Sequence, residues 1–581
     1  MIRSLSVLCL IACFASACSG DSPEGDGPDE SQTDAGSKDG GTQSPSDAGG
    51  DGGATEVPDG GTGPTDGGVL AACEPFGRFG APGNTLTLPG PSANGEMYIP
   101  DVQARFPSTN WSSLDRLYIP AGRYTLINLG NLPDRPASRP LVITNTGGQV
   151  VIRPNPGSTQ GYIWSMGGGS NWVLTGRYDA DSGTGHADFP GHRCGAYATS
   201  RERYGILSDD IFLSGGHMGL GIGGAHSFEV EYLEITRAGF AGLRITRSPN
   251  GDGTVSPIND IKLHDLYIHD TASEAIYFGS TQGAPTPLGS NLKVYNNRLV
   301  RTGTESLQIQ NLGDGTEVHH NVFAYGAIDW RAAFSMYQDN NSQAQVRGGT
   351  IRFHHNVFLG GAGALLNFFA QAEAGDLPLN VEFTDNYFAD TLSLGIWFGG
   401  TSGAGAKFNW ERNAFRGLDF GYQSVYPTAT DPGVVLSKAG TITAPITLKE
   451  NRWEGSRRLI SGLTGGSGTV GSVTATGNVN GAVTALTFVN TGLPAGTPTR
   501  QLERWTARAT LAPNSPEMTY AAGALVMHDG QLYRAKAQNT NKPPPDNTAQ
   551  WERLPLPVDD LRTAPGTEWS QRGVGLLDVA P

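Results

Sequence analysis

Six side chains with chemical capacity recur at the same place in short apolar segments through the middle of the chain: Arg244, Tyr277, Gln308, Ser335, Asn367 and Trp397. The segments are GLGIG (219–223), GLRIT (242–246), AIYFG (275–279), SLQIQ (306–310), AFSMY (333–337), LLNFF (365–369), GIWFG (395–399) and DFGYQ (419–423). The residue just before each polar position is apolar: Leu220, Leu243, Ile276, Leu307, Phe334, Leu366, Ile396 and Phe420. In a strand, successive side chains point to opposite faces, so the apolar set points inward and the polar set forms an outward row. Two residues on, Thr246, Gln310 and Tyr337 add a second row. Just ahead of the strands lie His217, Glu274, Glu305 and Arg331.

Such a surface suits a sugar chain. Aromatic faces cover the CH groups of pyranose rings, and amides bond hydroxyls. Gln308, Gln310, Tyr337, Asn367 and Trp397 are the expected substrate-binding residues. Eliminative cleavage of an acidic polysaccharide needs a cation against the uronate carboxylate, a base for the adjacent proton and an acid for the leaving oxygen. Arg244 with Arg331 supplies the cation, and Tyr277 or His217 the base or acid. Hydrolysis instead needs two placed carboxylates. The central row has none, and Glu274, Glu305 and Asp419 fall on different repeats. Elimination is therefore favoured over hydrolysis, and a non-catalytic glycan-binding surface is the third reading. A plain solenoid also shows polar rows to water, so the row alone is not a groove.

The element that positions these strands is a repeated corner. Its copies are LSDDIF (207–212), VEYLEI (230–235), LHDLYI (263–268), VYNNRL (294–299), VHHNVF (318–323), FHHNVF (353–358), FTDNYF (383–388), WERNAF (410–415), LKENRW (448–453) and ATGNVN (475–480). A period of about 30 residues marks a solenoid. The alternating, β-branched and aromatic pieces between turns are strands, with no helical period. From Asn297 to Asn478 the fourth position is asparagine, whose amide can hydrogen-bond local backbone and stack from coil to coil. Asp210 takes the same place in the first copy and reads as a structural corner residue. His319, His320, His354 and His355 precede ladder asparagines and read as corner residues, not metal ligands.

The HNVF and NNRL corners resemble those of right-handed parallel β-helix proteins of the pectate-lyase-like superfamily. Arg116-Leu117-Tyr118-Ile119-Pro120-Ala121-Gly122-Arg123-Tyr124 is similar to the segment that opens many such solenoids. The resemblance implies an all-β, right-handed parallel β-helix over residues 72–498, and a scaffold of that kind hosts many activities. LVIT (141–144), VVIR (150–153) and NWVLTG (171–176) are expected early strands. The polar stretch from Tyr178 to Tyr204 is too long for a corner and reads as a flap or a wall of the groove.

Residues 1–17 carry one arginine, an apolar run and small residues, as a secretory signal does, and the run is too short to span a membrane. Ala15-Ser16-Ala17-Cys18 resembles the bacterial lipobox, which implies a lipid on Cys18, with Ser19 directing an outer-membrane or surface location. Residues 18–71 are rich in Gly, Asp, Ser, Thr and Pro and form an acidic tether too polar to fold. Twelve acidic residues and one lysine in that tether account for most of the net charge of −15. The remainder has no basic excess, which argues against nucleic acid as a partner. Cys73 and Cys194 are left to form one disulfide in an exported compartment, and no Cys/His set has zinc spacing.

After residue 498 the pattern changes. Trp505, Tyr520, Gly523, Val526, Gly530, Tyr533, Ala535, Pro544 and Trp551 resemble the pattern of carbohydrate-binding module families 5 and 12, over residues 499–556. Lys536, Ala537 and Gln538 stand where such modules often expose aromatics, so a structural role is an equal reading. Residues 557–581 are similar to a closing segment that returns to the solenoid. The expected protein is an exported, lipid-anchored, monomeric lyase of an acidic polysaccharide. No cofactor is assigned, and calcium dependence is left open.

Overall fold

The computed structural model of the chain describes residues 79–158, 160–176, 201–210, 216–246, 258–279, 288–329, 340–361, 363–419, 435–437, 444–455, 458–462, 472–494, 502–506 and 519–577. Arg331, Tyr337, Cys18, Cys73 and Cys194 lie outside these residues, as does most of the polar stretch 178–204.

Most coils among the described residues contribute two strands, on either side of a corner, to a 23-stranded parallel sheet and one to a 12-stranded parallel sheet, and the architecture is a parallel β-helix. The larger sheet has two halves, one before the corner and one after it. Strands that precede the asparagine corner, such as Ile261–His264, Leu292–Tyr295, Thr316–His319 and Thr350–His354, form the ladder sheet. Strands that follow it, such as Tyr267–His269, Arg298–Val300, Val322–Ala324 and Val357–Leu359, form the strap sheet. The third is a 12-stranded groove sheet running from Glu96–Ile99 to Ile460–Gly462.

The corner has two parts. The residue before the ladder position takes positive φ in coil after coil: Asp265 (53°), Asn296 (54°), His320 (53°), His355 (56°), Asp385 (55°) and Arg412 (55°). That left-handed step turns the chain sharply, and polar residues tolerate it better than β-branched ones. The asparagine then ties the turn to its neighbours. Asn356 Nδ2 donates to Val318 O (2.8 Å) and Asn386 Oδ1 (2.9 Å), while its Oδ1 accepts from Asn321 Nδ2 (3.0 Å). The chain of amides runs Asn297, Asn321, Asn356, Asn386, Asn413, Asn451, Asn478 without a break. Inside, phenylalanines stack from coil to coil, with Phe358–Phe388 at 4.7 Å and Phe388–Phe415 at 4.9 Å.

Three expectations change. Asp210 is not in the ladder: Leu207 pairs with Glu234 and Asp209 with Thr236, so Ile206 holds the ladder position and Asp210 falls at the following corner. The groove strand between Leu307–Leu312 and Leu366–Gln371 is Ser342–Val346, not AFSMY (333–337). The strand after Ile396–Thr401 is Val435–Ser437, not DFGYQ (419–423). In both cases a segment earlier in the coil carries the strand pattern, but the later one pairs with the neighbouring groove strands. The early segments 141–144 and 150–153 join in one strand, Leu141–Ile152.

The strap sheet is buried on both faces. Inward it shows Phe323, Phe358 and Phe388; outward it shows Val322, Val357, Tyr387 and Ala414, which pack with Val483, Leu561, Trp569, Val574 and Leu576 from the C-terminal region. Asp559 is sunk into this interface. Arg301 Nη1 and Nη2 donate to its carboxylate at 2.7 and 2.6 Å, and Arg301 Nε donates to Asp270 at 2.6 Å. Burial works against the Asp559 charge, yet Arg301 outweighs it and lowers the group to about 2. Arg201, at the end of the polar stretch, donates to Asp270 (2.9 Å), so that end lies on the strap face and not at the groove.

A small sheet of Glu503–Arg504, Leu525–His528, Gln531–Ala535 and Trp551–Leu554 lies beside the strap. Its Leu525, Met527 and Leu532 join the cluster that holds Tyr232, Tyr267 and Ile328. Its Tyr520, Val526, Tyr533 and Trp551 form a separate core, and Trp551 Nε1 donates to Lys542 O (2.8 Å). These aromatics pack the sheet and offer no face to a ligand.

Candidate functional site

The groove sheet is in register across its centre. Ser165, Gly221, Arg244, Tyr277, Gln308, Gln343, Asn367 and Trp397 pair rung by rung. Their inward neighbours Leu220, Leu243, Ile276, Leu307, Leu366 and Ile396 are all buried, so this row faces out as the alternation requires, with Tyr277 itself only 7% exposed. Gln310 lies in the next row. Gln343 and Gln345 were not anticipated; the alternation in Ser342-Gln343-Ala344-Gln345-Val346 is the signal that reveals them.

Arg244 is half-buried on its rung. Its guanidinium stands 5.6 Å from the centre of the Tyr277 ring, and Nη1 lies 3.7 Å from Met218 Sδ. Its buried Nε has no partner, and it forms no ion pair among the described residues. A cation so placed is short of hydrogen-bond acceptors and can take an anionic group from a ligand. Tyr277 is also flanked by Phe240, at 6.3 Å between ring centres.

Glu274 and Glu305 occupy equivalent places on adjacent coils, just ahead of the Tyr277 and Gln308 strands, and are 7% and 6% exposed. Ser273 Oγ donates to Glu274 Oε2 (2.7 Å) and sits 3.1 Å from Thr304 Oγ1. Burial raises Glu274, with Ser273 and the Arg244 charge pulling back. Burial and the neighbouring Glu274 raise Glu305 to about 8. Like charges this close resist joint ionisation, so the pair retains a proton at neutral pH. Sequence spacing put these glutamates on different repeats; the coil stacks them.

His217 stands apart from the open row. It is fully enclosed, with Nδ1 3.1 Å from Asp210 Oδ2 and Nε2 without a partner. Asp210 Oδ2 also accepts from Gly239 N (3.1 Å). With no exposed surface, the imidazole cannot touch a bound chain in this arrangement. Asn367 and Trp397 sit on the rungs beyond Gln343, where Asn367 Oδ1 is buried without a partner.

A second group of rings lies on the ladder sheet. His264, Tyr295, His319 and His354 stack on successive rungs with centres 4.4, 5.0 and 4.7 Å apart. His264 is a cation: burial disfavours its charge, but Asp265 (2.6 Å) and Glu229 (2.6 Å) outweigh it and raise it to about 9. At the other end, burial and neighbouring imidazoles lower His319 and His354 to about 4 and His320 to about 2.

No family model and no curated protein sequence matches the chain. Among solved structures it is similar to the A-module of a mannuronan C-5 epimerase of Azotobacter vinelandii, at 12% identity over 68% of this chain and 98% of that one, TM-score 0.35. It is similar to a pectate lyase at 11% identity over 78% and 95% of the two chains, TM-score 0.34. It is similar to the catalytic domain of an α-1,3-glucanase at 11% identity over 68% and 69%, TM-score 0.31. Scores of this size carry no argument about activity.

Proposed function

We propose that the protein is a lyase that cleaves an acidic polysaccharide by β-elimination on the groove sheet. The observation that carries this reading is Arg244, a half-buried cation without an ion pair among the described residues, one rung from Tyr277 and near a carboxyl pair that holds a proton. In this reading Arg244 pairs with the uronate carboxylate and makes the adjacent C–H more acidic. Tyr277, one rung from Arg244 with its ring under the guanidinium, takes that proton. The C–O bond to the leaving sugar breaks as the C=C bond forms, and Glu305 gives its proton to the departing oxygen. Gln308, Gln343, Asn367 and Trp397 hold the flanking sugars, and Arg331 is a candidate second cation. The test is ultraviolet absorbance of unsaturated uronate ends when the purified chain meets a panel of uronate polysaccharides, with loss in Arg244→Ala.

One observation favours a second reading. Glu274 and Glu305 are two buried carboxyl groups at equivalent places on adjacent coils, and hydrolysis needs two placed carboxyls. New reducing ends without unsaturated products would select hydrolysis.

We also propose that the protein works at the cell surface, anchored through Cys18. Metabolic labelling with a fatty-acid analogue should mark the full chain, and Cys18→Ser should abolish the label.

A further inference from the structure

Two consecutive residues on a strand normally point to opposite faces, yet the corner at His319 and His320 breaks that rule. The positive φ of His320 (53°) swings its ring beside that of His319, with the planes at 88° and the two Nδ1 atoms 2.9 Å apart. One coil later His354 and His355 repeat the arrangement, at 90° and 3.0 Å. The pairs stack, His319 on His354 at 4.7 Å and His320 on His355 at 4.8 Å. One nitrogen from each of His319, His320 and His354 lies within 4.8 Å of the others, and all three rings are partly open to solvent. Metal–imidazole bonds of about 2.0–2.1 Å place two cis ligands about 3 Å apart. The facing nitrogens of His319 and His320 already stand at that separation, and the His354 nitrogen, within 4.8 Å of both, closes on the ion by a turn of its side chain.

From this geometry we propose that His319, His320 and His354 form a binding site for a borderline first-row divalent cation, Zn2+, Ni2+ or Cu2+, which staples successive coils at the corner. An all-imidazole donor set selects such ions over calcium or magnesium. The ion replaces the proton that His319 and His320 otherwise share between their Nδ1 atoms. The other His-containing cluster, Glu229, Glu231 and His264, is already served by a cation, the His264 imidazolium between Glu229 and Asp265. The histidine corner is not part of the groove. It lies against the C-terminal segment, where Gly575 N donates to His355 O (2.9 Å), so a bound ion stabilises coil and strap together.

The test uses the full chain made without a polyhistidine tag, stripped by chelator and titrated with Zn2+ alone and with Cu2+ alone. The expected result is one saturable ion per chain, a melting temperature that rises with Zn2+, and nitrogen hyperfine structure in the Cu2+ electron paramagnetic resonance spectrum. His320→Gln and His354→Gln should each remove the site while His226→Gln keeps it. The spectrum tests the ligand set even where a variant folds poorly. No saturable binding, a copper spectrum without imidazole nitrogen, or undiminished binding in both variants would overturn the proposal.

Discussion

Arg244 keeps a buried Nε without a partner, which costs stability unless a ligand supplies the acceptor. Arg244→Ala should therefore leave folding intact and lower kcat/KM on a uronate polymer by about 100-fold or more, the usual size for removing a preorganised charge stabiliser. Arg244→Lys should recover little, because a point charge does not reproduce a planar fork. Steady-state rates and a melting curve check both. Glu305 makes the pH prediction. Its carboxyl is raised from 4.5 to about 8, so the folded chain resists an ionisation that the unfolded chain accepts. Stability from this group is full below about 4.5 and is lost as pH rises through about 8. Glu305→Gln should remove that decline and melt above the wild type at alkaline pH, while losing about 100-fold in rate if Glu305 is the acid. The wild-type rate should fall on the alkaline side with the same group. The register of Arg244, Tyr277 and Gln308 was legible in sequence, because alternation alone sets it. The Glu274–Glu305 pair and the burial of His217 were not, since neither follows from alternation along a strand.

At the scale of the element, the asparagine ladder holds the corners. Asn356 is buried and serves two donors and two acceptors, so Asn356→Ala strands several polar groups at about 1–3 kcal/mol each. Asn478 closes the ladder half-exposed, where water replaces what is lost, and Asn478→Ala should cost about 1 kcal/mol or less. Denaturant unfolding of the two variants compares them directly; equal losses would mean the ladder does not act as a buried chain. Most of this element could be read from the recurring Asn. Asp210 could not, because a letter pattern fits the corner before a strand and the corner after it equally well. Ser342–Val346 was passed over for a neighbour with more apolar residues, since spacing in an irregular solenoid tolerates a shift of several residues.

At the scale of the molecule, the strap decides what is surface. Val322, Val357, Tyr387 and Ala414 point outward and would face water without the C-terminal region. Asp559 fixes that region through Arg301, and Asp559→Ala leaves a buried guanidinium with one carboxylate fewer, at a cost of about 3–5 kcal/mol. Thermal unfolding should show a markedly lower transition, with dye-detected exposure of apolar surface. The resemblance of residues 557–581 to a closing segment implied a return to the solenoid, but which faces it covers was not legible, because contacts hundreds of residues apart leave no local periodicity. The aromatics of the small sheet beside it are spent on its own core, which is why binding is assigned to the groove.

The measurement that bears most directly on the central claim is the ultraviolet absorbance of unsaturated uronate ends, followed while the purified chain and its Arg244→Ala variant each meet the same panel of acidic polysaccharides. The account expects a steady rise on at least one polymer with the wild type and about 100-fold less with the variant. A rise that Arg244→Ala leaves unchanged, or reducing ends that appear with no absorbance at all, would contradict an eliminating site at Arg244.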